Sequence, residues 1–126
     1  MVNIDYIMDL LDWDNSKEEQ QLGIQLARTV RCINVFLQPS DKRNNKNVWD
    51  NCALILSEKS DEELSPYLIE LMEWLQDMNW PGAFCIMERL KKYEKNHYFT
   101  TCLEICLKKA RIMEYDFWEE VLKQIP

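Results

Sequence analysis

The sequence predicts an all-α fold, a compact right-handed α-solenoid of stacked helix pairs (HEAT/armadillo-like) with seven or eight helices in one domain over residues 1–126. Three observations predict it. Glycine and proline number only 2 and 4 in 126 residues, whereas an all-β fold needs a turn every ~8–12 residues, usually marked by them. Apolar residues recur at i, i+3, i+4 and i+7 in almost every segment, which is the helical period. Capping-box patterns stand at Ser16–Glu19, Ser60–Glu63 and Asp116–Glu119, each ahead of an apolar run. Hydrophobic residues at 47% beside 29% charged ones mark a globular chain, and a domain of this size buries roughly two-thirds of its unfolded surface without help from metal or disulfide.

Asn3 is placed to cap a first helix carrying Ile4, Ile7, Met8 and Leu11, which the Asp12-Trp13-Asp14-Asn15 stretch breaks. The helix behind Ser16 shows Leu22, Leu26, Val30 and Ile33 on one face, so it is expected to reach Arg31 or beyond and to stop by Pro39. Residues 38–46 form the only long polar loop. Asn47 starts a helix with Val48, Trp49, Cys52, Ala53, Ile55 and Leu56. After Ser60, Ser65-Pro66 restarts the helix, because proline is tolerated in a first turn. The helix that follows is the most apolar, with Leu68, Leu71, Met72 and Leu75 in one stripe and Tyr67, Leu71, Trp74 and Met78 in another. A helix apolar on two faces sits between neighbours.

Gln76-Asp77-Met78-Asn79 ends that helix and Trp80-Pro81 opens the next, striped by Ala83, Ile86, Met87 and Leu90. Beyond a polar break at Glu94-Lys95-Asn96, Phe99, Leu103, Cys106, Leu107, Ala110 and Met113 line a long helix. The third capping box then leads Val121, Leu122 and Ile125. The pairs at about 47–78 and 80–113 match each other, with Trp49 and Trp80 31 positions apart and Leu71 and Leu103 32 apart. Helix-pair repeats run at ~34–47 residues, so this period is slightly short. Such pairs bury their apolar faces by stacking; a plain helical bundle is the second architecture.

The net charge of −7 is uneven, −8 over residues 1–79 and +1 over residues 80–126. That field opposes nucleic acid. The densest basic stretch, Arg89, Lys91, Lys92 and Lys95, is interleaved with Glu88 and Glu94 and reads as a solvated helix face. No apolar run approaches a membrane span and no helix is basic and amphipathic, so neither nucleic acid nor membrane is expected as a partner. The start Met1-Val2-Asn3-Ile4-Asp5 lacks the pattern of a signal peptide, and a cytoplasmic location is expected. Five cysteines (32, 52, 85, 102 and 106) form an odd set without a CxxC, which predicts free thiols. Cys102 and Cys106 fall on apolar helical positions beside the sole histidine, His97. They read as small core residues, so no metal and no cofactor are expected.

The segment Glu70-Leu71-Met72-Glu73-Trp74-Leu75-Gln76-Asp77-Met78-Asn79-Trp80-Pro81 resembles the E-W-L-Q-D-M-N-W-P core of a small uncharacterised bacterial family with a HEAT-like helical fold. The resemblance extends over roughly residues 47–93 and implies a fold but no activity. Some small helical proteins of this kind look like immunity or antitoxin-type partners of secreted bacterial toxins, which is an analogy of class. The residues also have a structural reading. Trp74 and Trp80 pack across a helix–helix corner, Asp77 and Asn79 bind backbone amides at the next helix start, and Pro81 fixes the entry angle.

No nucleophile elbow, P-loop, HExxH or dinucleotide fingerprint is present, and no catalytic residue is expected. Paired acids such as Asp61/Glu62 and Glu119/Glu120 lie in first helical turns, where the macrodipole already favours them. The function predicted is non-enzymatic binding of another protein with a basic surface, an immunity or antitoxin-type role; the alternative is a small-molecule enzyme using carboxylates in an interhelical cleft. Acid–base steering and aromatic anchoring pick out Asp12, Trp13, Asp14, Asp61, Glu62, Glu63, Asp77 and Trp80 as the partner-binding residues.

Overall fold

A computed structural model describes residues 3–39 and 45–126. Eight α-helical segments and four 3-10 turns occur among the described residues, with no strand. The α-helices are α1 (Ile4–Leu11), α2 (Lys17–Ala27), α3 (Trp49–Ser57), α4 (Asp61–Leu64), α5 (Leu68–Glu73), α6 (Ala83–Lys92), α7 (His97–Ile112) and α8 (Asp116–Leu122). The all-α expectation holds. Most of the expected polar loop, residues 40–44, lies outside the described residues, as do Met1 and Val2.

The local signals that determine helix starts act as their chemistry requires. Asn3 accepts from the Tyr6 amide, and both Ser16 and Ser60 make reciprocal capping boxes with Glu19 and Glu63. α1 packs on α2, and α2 on α3. α3 packs on α6 and α5 on α7, so each first helix lies on the other first helix and each second on the other second. α8 closes the end against α7 and the 74–76 turn.

Five local expectations need correction. α2 stops at Ala27, short of Arg31, because the Thr29 hydroxyl turns back onto the Leu26 carbonyl at 2.7 Å and satisfies a terminal acceptor. Its buried face is Gly23, Ile24 and Ala27, whereas Leu22 is 41% exposed. Gly23 is the cause: a Cβ there would sit 2.9 Å from Leu10 Cβ, so α1 lies directly on the glycine. The restart expected at Ser65-Pro66 is present as a 3-10 turn at Ser65–Tyr67 between α4 and α5, but the helix after it, expected to run to about Met78, is α-helical only to Glu73 and tightens to a 3-10 turn at Trp74–Gln76.

The third correction concerns Trp80-Pro81, which precedes α6 but does not start it. Gly82 is the N-cap, at φ +83, where side chains other than hydrogen are strained. The fourth concerns Asp116, the first residue of α8 and not its cap. α7 ends in a left-handed turn at Glu114 (φ 56), with the Tyr115 amide donating to the Ala110 carbonyl at 2.8 Å, and Glu119 turns to Arg111 at 2.7 Å. Met113, expected in the core stripe of α7, is exposed, and Cys102 takes a core place beside Phe99, Leu103, Cys106 and Ala110.

Of the two glycines, Gly82 permits the closer approach. A Cβ on it would lie 2.7 Å from Ala53 Cβ and 2.9 Å from the Trp49 carbonyl oxygen. Gly82→Ala adds left-handed strain to overpacking, so we expect a loss of ~2–4 kcal/mol in urea unfolding. Unfolding at the parent midpoint contradicts that tight corner.

Candidate partner-binding site

The predicted residues fall into three groups that no hydrogen bond or ion pair joins among the described residues. Asp12 and Asp14 flank Trp13 in the α1–α2 turn. Asp12 Oδ1 accepts the Asp14 amide at 2.9 Å and the Asn47 amide group at 3.2 Å, and Asp14 Oδ2 accepts the same Asn47 group at 3.3 Å. The Trp13 amide donates to the Asn47 carbonyl at 3.1 Å. These acids therefore hold the turn against the segment entering α3. The Trp13 side chain is 44% exposed and stays available to a partner.

Asp77 and Trp80 share the corner between the helix pairs. Asp77 Oδ1 accepts the Asn79 amide at 2.9 Å, and the Trp80 amide donates to the Asp77 carbonyl at 3.0 Å. Asp77 thus shapes its own turn, where an amide of the following helix was expected. The Trp80 ring is half-buried, edge-on to Trp49 with centroids 5.6 Å apart, and Trp49 meets Trp74 on its other side at 6.1 Å. Trp74 and Trp80 therefore meet through Trp49, a residue the sequence reading had left out of the corner. Trp74 Nε1 donates to the Pro81 carbonyl at 3.0 Å, which closes the corner.

The third group is the start of α4. Asp61 is committed inside the fold: Arg89 Nη2 donates to Oδ1 at 2.6 Å, and the Glu94 amide donates to Oδ2 at 3.0 Å. Partial burial pushes the Asp61 carboxyl up, but the Glu94 amide and Arg89 together prevail and hold it below its usual value. The Ser60 amide and hydroxyl likewise hold Glu63 low through the capping box. Glu62 is exposed and takes part in no ion pair among the described residues.

Two shallow grooves flank this turn. One, of about 410 Å³, is lined by Ser57, Asp61, Cys85, Glu88, Arg89 and Lys92 and mixes both signs of charge. The other, of about 540 Å³, joins Ser60, Glu62, Glu63, Pro66 and Tyr67 to Arg31 and Ile33 from the segment after α2. Its lining holds two carboxylates, one cation (Arg31) and an aromatic ring, a net negative composition that suits a lysine or arginine side chain. In the sequence Tyr67 and Ile33 read only as members of apolar helix faces; more than thirty residues apart, they come to line one groove only through packing.

The basic stretch is also occupied locally. Arg89 binds Asp61 and the Lys59 carbonyl, and Lys95 Nζ donates to the carbonyls of Leu90, Lys91 and Tyr93 at the end of α6. Burial pushes the thiols of Cys52 and Cys106 up to about 12, which keeps them neutral and poor nucleophiles. No group of three potential metal-binding side chains occurs among the described residues, and no helix among them is long and apolar enough to cross a membrane.

A family described as a domain of unknown function (DUF5071) matches residues 37–123. The chain belongs to this family. The matched span contains both helix pairs, the tryptophan corner and the α4 turn, and leaves α1, α2 and the Asp12–Asp14 turn outside. No curated protein and no solved structure matches the chain. Within the DUF5071 domain, the Glu62–Tyr67 side of the groove belongs to the family span, while Arg31 and Ile33 precede it.

Asp61 yields a pH-dependent prediction. Its carboxyl is depressed in the folded state, so its contribution is complete above the unfolded value of ~3.9 and is lost as pH falls through the folded value. Asp61→Asn should therefore lower stability by about 1 kcal/mol at neutral pH, solvent screening keeping the effect modest. The gap to the parent should close in acid. A gap that widens as the pH falls contradicts the ion pair.

Proposed function

We propose that the protein is a non-enzymatic binding module that captures a basic segment of another protein, in the manner of an immunity or antitoxin-type inhibitor. The observation that carries this reading is the groove lined by Glu62, Glu63, Tyr67 and Pro66, in which the two carboxylates outnumber the one cation, Arg31. The field of −8 over residues 1–79 supports it, because it accelerates encounter with a cation. Exposed Trp13 supplies a second anchor of the kind that dominates interfaces. The stacked pairs α3/α6 and α5/α7 are read as turns of a short right-handed solenoid, an architecture that presents long surfaces to partners. Free cysteines, three of them buried, suit a reducing cytoplasm.

A carboxylate enzyme is the weaker reading. Its cleft would be the groove beside Asp61, and that carboxylate is already held by Arg89 and the Glu94 amide. The residues of the 60–67 turn instead offer recognition without a reacting pair.

Surface plasmon resonance against an arginine- and lysine-rich helical peptide, with its glutamate-substituted counterpart as control, tests the proposal. The basic peptide should bind with an on-rate that falls steeply with salt. Glu62→Lys should lower that on-rate several-fold and leave the melting temperature unchanged, since exposed charges contribute at most ~1 kcal/mol. Tyr67→Ala should act on the off-rate. Equal binding of both peptides, or an on-rate indifferent to salt and to Glu62→Lys, overturns the basic-partner reading.

A further inference from the structure

α7 buries one face against α5 and α8 and leaves a second apolar line open. Tyr98 is 51% exposed, Ile105 48% and Ile112 73%. They follow one another at intervals of seven residues. At 3.6 residues per turn such positions drift only ~20° per heptad, so the three form one stripe roughly 21 Å long. Single exposed apolar residues are ordinary on a protein surface. Three of them on the heptad period have the spacing of a helix–helix seam.

The charges beside the stripe identify what covers it. Glu104 precedes Ile105, and Lys108 and Arg111 follow it, so the line is acidic near its middle and basic toward its end. Glu104 and Lys108 take part in no ion pair among the described residues, and both are exposed. A basic partner would meet Lys108 here, unpaired among the described residues, beside Lys109 and Arg111, which are paired with Glu73 and Glu119. A second copy laid parallel would place Lys108 against Lys108. Laid antiparallel about a two-fold axis near Ile105, it sets Glu104 against Lys108 of the other copy, twice over, while Arg111 stays with Glu119 of its own chain. The stripe is thus complementary to itself, as an isologous interface must be.

We propose that α7 is a self-association surface on which two copies of this chain pair antiparallel, with Ile105 at the axis and Tyr98 of each copy packed on Ile112 of the other. A seam made by one helix is small, so the dimer forms reversibly and depends on concentration. It shares no residue with the 60–67 groove and does not rest on the basic-partner reading.

Sedimentation velocity of the full chain under reducing conditions, which exclude linkage through exposed Cys32, reads the association directly. Over about two decades of concentration, up to the hundred-micromolar range, the mass should rise from 15.2 kDa toward twice that value. Ile105→Lys should raise the dimer Kd on the order of tenfold or more without changing the helical circular dichroism, because the side chain is half exposed. Glu104→Lys should weaken the dimer, and adding Lys108→Glu should restore it. A chain that stays at 15.2 kDa throughout overturns the proposal, as does a dimer indifferent to Ile105→Lys.

Discussion

The fold depends on one indole. Trp74 is fully buried, its ring lies edge-on to Trp49, and its N–H donates to the Pro81 carbonyl at 3.0 Å. That single side chain fastens the end of the second helix of one pair to the turn that begins the next. The approach is close enough that only Gly82 fits beneath it, with the ring carbon Cζ2 of Trp74 3.0 Å from where a Cβ would stand. A large buried aromatic is worth about 3–5 kcal/mol against truncation, and its hydrogen bond about 1 kcal/mol of that order. α8 uses the same device: Trp118 is fully buried and donates to the Met72 carbonyl at 3.0 Å. Trp118 serves a carbonyl near the end of α5, and Trp74 reaches forward to the turn before α6.

Helix starts were legible because a cap is a local bargain among four residues. Ser16 with Glu19 and Ser60 with Glu63 each satisfy two amides within one turn, whatever the rest of the chain does. Asp116 has the same letters and fails, because Arg111, eight residues upstream of Glu119, claims the carboxylate that the box needs. Helix ends and kinks were less legible. The break of α2 at Ala27 depends on Thr29 turning back on Leu26, and its buried face depends on how closely α1 approaches Gly23. The left-handed turn at Glu114 carries a residue type that gives no sign of it.

The site followed the same division. Asp12, Asp14 and Asp61 were selected as surface charge, and each has a partner far along the chain: Asn47 for the first two, Arg89 for the third. Contacts across roughly thirty residues leave no periodic trace in a sequence. Glu62 and Trp13, whose neighbours are solvent, are the selections that remain open to a partner. The stripe on α7 was hidden differently. Tyr98 adjoins core Phe99, and Ile112 adjoins Met113, so an apolar residue at either place reads as part of the buried face until the helix is oriented.

The tryptophan corner can be structural or a binding site, and one substitution separates the two. Trp74→Ala, followed by urea unfolding and by binding to the basic peptide, addresses it directly. A structural corner predicts a loss of ~3–5 kcal/mol, with peptide binding retained under conditions where the variant is still folded. A variant that unfolds like the parent but no longer binds would contradict the role assigned to Trp74 and would move the binding site from the 60–67 groove to the corner.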